Sequence, residues 1–315
     1  MPVTRIAGLV YGRLCSPDLD LAEQFLTDFG LIRLERTPTA LYMRGTGPSH
    51  HVHITELGEP RYVSLAWQTN SYEDLENLAR VAGATGIESL DEPGGGKRVR
   101  LTDPDGRLVE VVHGIAEVPP LPVQRPESNA GADRTRRRGD LFRIPAGTAH
   151  VRRLGHCAVM TENFDATVAW YRETLGLLCS DTVYRGSTDH LVGSFNRLDR
   201  GDEFVDHHII YLMRGAPSGL NHLAFEVPDI DDVHVGHEHL VARGYRSAWG
   251  VGRHALGSQV FDYWFDPWGR VHEHWTDSDL LNARSSPGFG EAGVYTRGPW
   301  GPYPPTNGFA THSTP

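Results

Sequence analysis

The sequence predicts an α+β fold of two domains, each built from paired βαβββ-like units. Three observations carry this: motifs that occur twice in the same order, a Pro-, Gly- and charge-rich stretch between the two sets, and a strand–helix–strands pattern in each. "LTDPDGRLVEVVHG" (101–114) and "WFDPWGRVHEHWTD" (264–277) share the frame Asp-Pro-x-Gly-Arg-x-x-Glu. "YVSLAWQT" (62–69) lines up with "LNHLAFEV" (220–227), and "SHHVHI" (49–54) echoes "DHHIIY" (206–211). Self-similarity in a fixed order marks a duplication.

Each copy opens on a strand, a turn and a helix that ends in Gly-Leu, as in "LVYGRLCSPDLDLAEQFLTDFGL" and "LGHCAVMTENFDATVAWYRETLGL". In the second copy Phe164, Val168, Tyr171 and Leu175 fall at helical spacing, with Asp165 near the N-terminal end. A later helix, "DIDDVHVGHEHLVARG" (229–244), stops at Gly244, a residue suited to the left-handed turn after a helix. Its Val233, Leu240 and Val241 are expected to face a sheet. The shared Asp-Pro-x-Gly-Arg reads as a turn. The expected domains are 1–118 and 149–281, joined by a linker over 119–148, with a Gly- and Pro-rich tail over 282–315 that has no strand or helix period.

The 315 residues are 39% hydrophobic and 22% charged, as in an ordinary globular protein. A net charge of −10 argues against nucleic acid as a partner. Cys15, Cys157 and Cys179 form no CxxC pair, so neither a disulfide framework nor a thiolate zinc site is expected. No signal-peptide pattern and no membrane-spanning run occurs, which predicts a cytoplasmic protein with no membrane association. The 17 histidines are the unusual feature of the composition.

Glu273 sits between His272 and His274 in a predicted strand. Alternation puts it on one face with Val271 and Trp275, and the two histidines on the other. A carboxylate facing a core needs a cation, either a basic side chain or a metal. The duplication supplies an internal comparison. Glu110 and Glu273 occur in both copies, whereas His222 replaces Ser64, and His156 replaces Tyr11 or Val10, depending on one gap. The second copy therefore gathers His156, His222 and Glu273. Two neutral imidazoles and a carboxylate, with positions left open, are the donor set of non-haem Fe(II) oxygenases. A zinc hydrolase uses the same set.

"LGHCAV", "LNHLAFEVPDIDDV" and "FDYWFDPWGRVHEHWTD", in that order, resemble the three metal-ligand segments of the extradiol ring-cleaving dioxygenases of the vicinal oxygen chelate superfamily. The resemblance spans about residues 4 to 280. It implies that fold, with His156, His222 and Glu273 as ligands of Fe(II), or of Mn(II) in its place. "GVGRHALGSQ" resembles the segment that puts His254 beside the substrate, and Tyr263 matches a tyrosine near the ring hydroxyls. "VDHHIIYLM" resembles the segment of the acid–base histidine, with His208 in the favoured register and His207 as the alternate. The implied reaction is extradiol cleavage of a catechol-type small molecule by O2 to a ring-opened semialdehyde or keto acid. The resemblance also implies a metal-free structural N-terminal domain and a homo-oligomer.

Two other readings stand beside it: a metal-dependent isomerase or lyase of the glyoxalase kind, and a protein that only binds an aromatic ligand. Trp249, Trp264, Trp268 and Trp275 fit either an aromatic pocket or core packing. The tail holds Phe289, Tyr295, Trp300, Tyr303 and Phe309. It is expected either to lie over the pocket mouth or to pack on the N-terminal domain or a partner subunit.

Overall fold

A computed structural model describes residues 1–125, 127–295 and 297–315, and the side chains of residues 295 and 310 also lie outside what it describes. Four βαβββ units follow one another. The first runs from the strand Ile6–Ser16 through the helix Leu19–Asp28 to the strand His53–Leu57. The second begins with Arg61–Thr69 and ends with Leu108–His113. The third begins with Arg153–Thr161, carries the helix Phe164–Leu175 and ends with Ile210–Arg214. The fourth contains Gly219–Glu226, the helix Ile230–Ala242, Ser247–Arg253, Val260–Phe265 and Val271–Thr276.

The first two units share an 8-stranded sheet, and the last two form most of a 9-stranded sheet. In each sheet the opening strands of the two units pair antiparallel at the centre: Ile6–Ser16 with Arg61–Thr69, and Arg153–Thr161 with Gly219–Glu226. The last strand of each unit then pairs parallel with an opening strand. Among the described residues no helix is long and apolar enough to cross a membrane.

The helices Leu19–Asp28 and Ile230–Ala242 begin where aspartate side chains cap them. Asp18 accepts from the amides of Asp20 and Leu21, each at 2.9 Å, and Asp229 accepts from that of Asp232 at 2.8 Å. Helix Ile230–Ala242 buries Asp232, Val233, Gly236 and Leu240. Val241, expected to face the sheet, is instead 53% exposed. The buried stripe runs through 233, 236 and 240, and a residue after 240 lies about 100° round the helix. Gly244 follows the last turn with φ +78°, as a left-handed terminator should.

The Asp-Pro-x-Gly-Arg segments are more than turns. Asp266 accepts from the amides of Trp268 and Arg270 and from Arg270 Nε. Arg270 then crosses to the first sheet and donates to Cys15 O at 2.6 Å and Ser16 Oγ at 2.8 Å. Arg107, held by Asp103, crosses the other way and donates to Met160 O. The two copies clasp each other reciprocally.

The tail departs from expectation. Gly288–Glu291 adds a parallel edge strand beside Leu178–Arg185, and just before the tail Leu280–Leu281 pairs with Val205–Asp206. Phe309–Thr311 forms a short 3-10 turn.

Candidate metal centre and active site

Register places the site within the duplicated sheets. In the C-terminal sheet His156 pairs with Ala224, and Ala224 with Glu273, so one row crosses three strands. In the N-terminal sheet the matching row is Tyr11, Ala66 and Glu110. His156 therefore corresponds to Tyr11, which settles the gap left open by the sequence. Tyr263 extends the row, pairing with Glu273 where Arg100 pairs with Glu110.

The two buried carboxylates have opposite surroundings. Glu110 accepts from Tyr11 Oη at 2.8 Å, Arg13 Nε at 3.1 Å, Arg98 Nη1 at 2.8 Å and Ser64 Oγ. Burial alone raises its pKa, but Arg13, Ser64 and Arg98 outweigh burial and hold it below the usual carboxylate range. By register, Ala158 stands in the place of Arg13 and Phe261 in that of Arg98. Among the described residues no Lys or Arg reaches Glu273. Burial pushes its pKa up to about 7, opposed by His222 and by a hydrogen bond from Tyr263.

What does reach Glu273 is imidazole. His156 Nε2 lies 3.1 Å and His222 Nε2 3.3 Å from Glu273 Oε2. One ligand atom from each of the three residues lies within 4.8 Å of the others, and all three residues are buried. Burial drives both histidines down to about pKa 3, so each is a neutral ligand at neutral pH. Asn221 sets the tautomer of His222. Its amide nitrogen donates to Phe309 O and His312 O, at 3.2 and 2.8 Å, so its oxygen accepts from His222 Nδ1 at 2.7 Å. The Nε2 lone pair of His222 is then turned to the site. These donors fit a divalent cation: neutral nitrogens and a carboxylate otherwise left with a costly buried charge.

His208, His254 and Tyr263 line one cavity with His156 and His222, with a volume of about 60 Å³. His254 Nε2 lies 2.8 Å from Tyr263 Oη and 3.8 Å from Glu273 Oε1. The rings of His208 and His156 are 4.2 Å apart, centre to centre. His207 points elsewhere, with Nε2 2.6 Å from Asp181 Oδ2 and Nδ1 3.0 Å from His208 Nδ1. All six sequence-predicted site residues converge. Of the four tryptophans, Trp249 lines the cavity. Trp275 packs beside His156, Trp264 bonds Asp262, and Trp268 lies under Arg270.

Two contributors are not evident from the sequence; a third, Phe309, is one of the five tail aromatics that the sequence offers as a cover for the pocket mouth. Asn221 adjoins a predicted ligand and could have been found from that adjacency. Gln259 lines the cavity fully buried, its amide unbonded to protein, with no distinguishing sequence signal. Phe309 roofs the cavity from the tail, its ring 4.6 Å from that of Tyr263.

The profile of the Glyoxalase/Bleomycin resistance protein/Dioxygenase superfamily matches residues 153–273. Metapyrocatechase 2 of Cupriavidus necator is 32% identical over 272 residues, covering 85% of this chain and 80% of the relative. The chain belongs to the extradiol dioxygenases of that superfamily. The enzyme is thus an oxidoreductase. It is also 25% identical over 278 residues to the manganese-dependent 2,3-dihydroxybiphenyl 1,2-dioxygenase of Geobacillus genomosp. 3, covering 83% of this chain and 82% of that relative. The fold matches homoprotocatechuate 2,3-dioxygenase of Brevibacterium fuscum in complex with 3,4-dihydroxyphenylacetate, with a TM-score of 0.81 at 18% identity over 99% of this chain and 94% of that one. At that identity the likeness speaks for the fold alone.

Proposed function

We propose that the enzyme opens the ring of a catechol-type diol beside its hydroxyls with O2, yielding a semialdehyde or keto acid, at a divalent metal held by His156, His222 and Glu273. The observation that carries this reading is the paired environment of Glu110 and Glu273: the same buried carboxylate is neutralised by arginines in one copy and faced by imidazoles in the other. Fe(II) is the expected ion, and Mn(II) suits the same donors. When bound, the ion supplies Lewis acidity toward the diol oxygens and a route for electrons between ring and O2.

The protein's own groups handle protons. The Tyr263 hydroxyl donates to Glu273 and so accepts from His254 Nε2 at 2.8 Å, a pair placed to orient a ring hydroxyl and relay its proton. Asp181 can only accept, so His207 Nε2 donates to it and His207 Nδ1 must accept from His208 Nδ1. That chain leaves His208 Nε2 with its lone pair available, ready to take a proton from the bound diol and return it later in the cycle. Phe195, Trp249, Leu256 and Phe309 line the cavity and keep bulk water away.

Anaerobic loading with Fe(II), then addition of a catechol and air, tests the reading. Oxygen uptake with a new visible absorbance is expected. Turnover without oxygen uptake would assign the site to an isomerase or lyase instead.

A further inference from the structure

The cavity over the histidines adjoins a second, larger hollow. The two share Tyr211, Met213, Trp249, His254 and Phe309 as walls. Because His254 belongs to both and holds Tyr263, the outer hollow begins at the groups proposed to receive the diol. Its further walls are Met160, Val183, Val192, Pro304 and Pro305. The C-terminal sheet and the tail thus form an apolar sleeve leading away from the ring position.

Charges around this space are few and lie at its outer end. Among the described residues no Lys or Arg lines the inner cavity. Arg214, at the outer rim, donates to both oxygens of Asp165 at 2.9 Å and to Leu191 O at 2.8 Å. Arg185 is exposed at the mouth. A carboxylate attached close to the ring would be buried with no Lys or Arg to neutralise it, Gln259 offering only a neutral amide, which is costly. An apolar group would gain by leaving water.

Resting on the proposed function above, we infer that the substrate is a catechol bearing a neutral apolar substituent, a second ring or an alkyl chain, which occupies the outer hollow. The hollow then discriminates among catechols while the inner residues treat them alike.

Three probes test this with the metal-loaded enzyme: catechol, 3-phenylcatechol and 3,4-dihydroxyphenylacetate. Turnover is followed by oxygen uptake. Binding is followed separately, without O2, by tryptophan fluorescence of enzyme loaded with redox-inert Zn(II). The phenyl compound should exceed catechol by about tenfold or more in kcat/KM and in affinity, a gain of the size apolar pockets give, and the carboxylate compound should rank last. Val192→Trp, which fills the hollow, should cut the phenyl-over-catechol preference by about the same factor. Equal or reversed ranking in the binding measurement overturns the inference, as does an unchanged preference in Val192→Trp. Absence of oxygen uptake with all three probes instead strikes at the proposed reaction, and the Zn(II) binding series still decides the substituent.

Discussion

Glu110 and Glu273 occupy one position in two copies of a sheet, and what surrounds each decides its chemistry. Removing a histidine or the carboxylate from the C-terminal set takes away one of the three proposed protein ligands. His156→Ala, His222→Ala and Glu273→Ala are therefore expected to lose bound metal on dialysis, measured by elemental analysis, with the fold retained. Glu110→Ala should keep its metal; Arg13 retains Glu56 and Glu92, and Arg98 retains Glu88 and Glu92, so losing the buried carboxylate should cost about 1–3 kcal/mol in a denaturant titration. Near wild-type metal content in the C-terminal variants would refute the assignment. His208 calls for a different measurement. His208→Phe should retain metal and bind a catechol while losing roughly 10²–10⁴ in kcat, the range of a general acid–base group. Asp181→Asn should lose less, because it weakens only the orientation of His207. A His207 variant with dead chemistry beside an active His208 variant would exchange their roles.

At the scale of elements, the tail both covers the pocket and straps the two sheets. Trp300 O accepts from the amide of Arg253, and Pro302 O from Trp249 Nε1. Asn307 bonds Ala248 O, Thr314 exchanges two bonds with Leu220, and Pro315 O accepts from Tyr62 of the N-terminal sheet. Between these anchors Phe309 is laid over the cavity, while Phe289, Trp300 and Tyr303 remain exposed. Truncation after residue 281 should therefore lower both the melting temperature and catechol affinity. Phe309→Ala separates the two effects: it opens the roof but leaves the anchors, so affinity should fall with a much smaller thermal shift. Unchanged affinity in that variant would reduce the tail to a structural strap. Most elements were legible because their own residues specify them, through capping aspartates, helical spacing and alternating strands. Gly288–Glu291 was not. Its "GFGE" has no strand character, and it is extended because an unpaired edge at Leu178–Arg185 templates it.

For the whole molecule, duplication made the architecture and ligand rows readable from one chain, since each copy calibrates the other. Contacts between copies were hidden, because they join residues with no common motif. The reciprocal arginines are one case, and Asp28 is another. It ends the first helix of the N-terminal half, and its carboxylate is met from the C-terminal half by His239 at 2.9 Å, Arg243 at 3.1 Å and Tyr245 at 2.8 Å. Burial raises the pKa of Asp28, but the hydrogen bonds from these three outweigh it and leave the pKa below the ordinary carboxylate value. A folded-state pKa below the unfolded one means that the stabilisation is present above about pH 4 and fades as pH falls through the folded value. Asp28→Asn should then cost about 1.5–3 kcal/mol at pH 7, the range for hydrogen bonds to a charged group. The difference from wild type should shrink as pH falls below about 4, as protonation removes the same charge from the native protein. Urea unfolding of both proteins at several pH values measures it. A gap independent of pH would show that Asp28 joins the two halves by shape and neutral hydrogen bonding, with its charge contributing nothing.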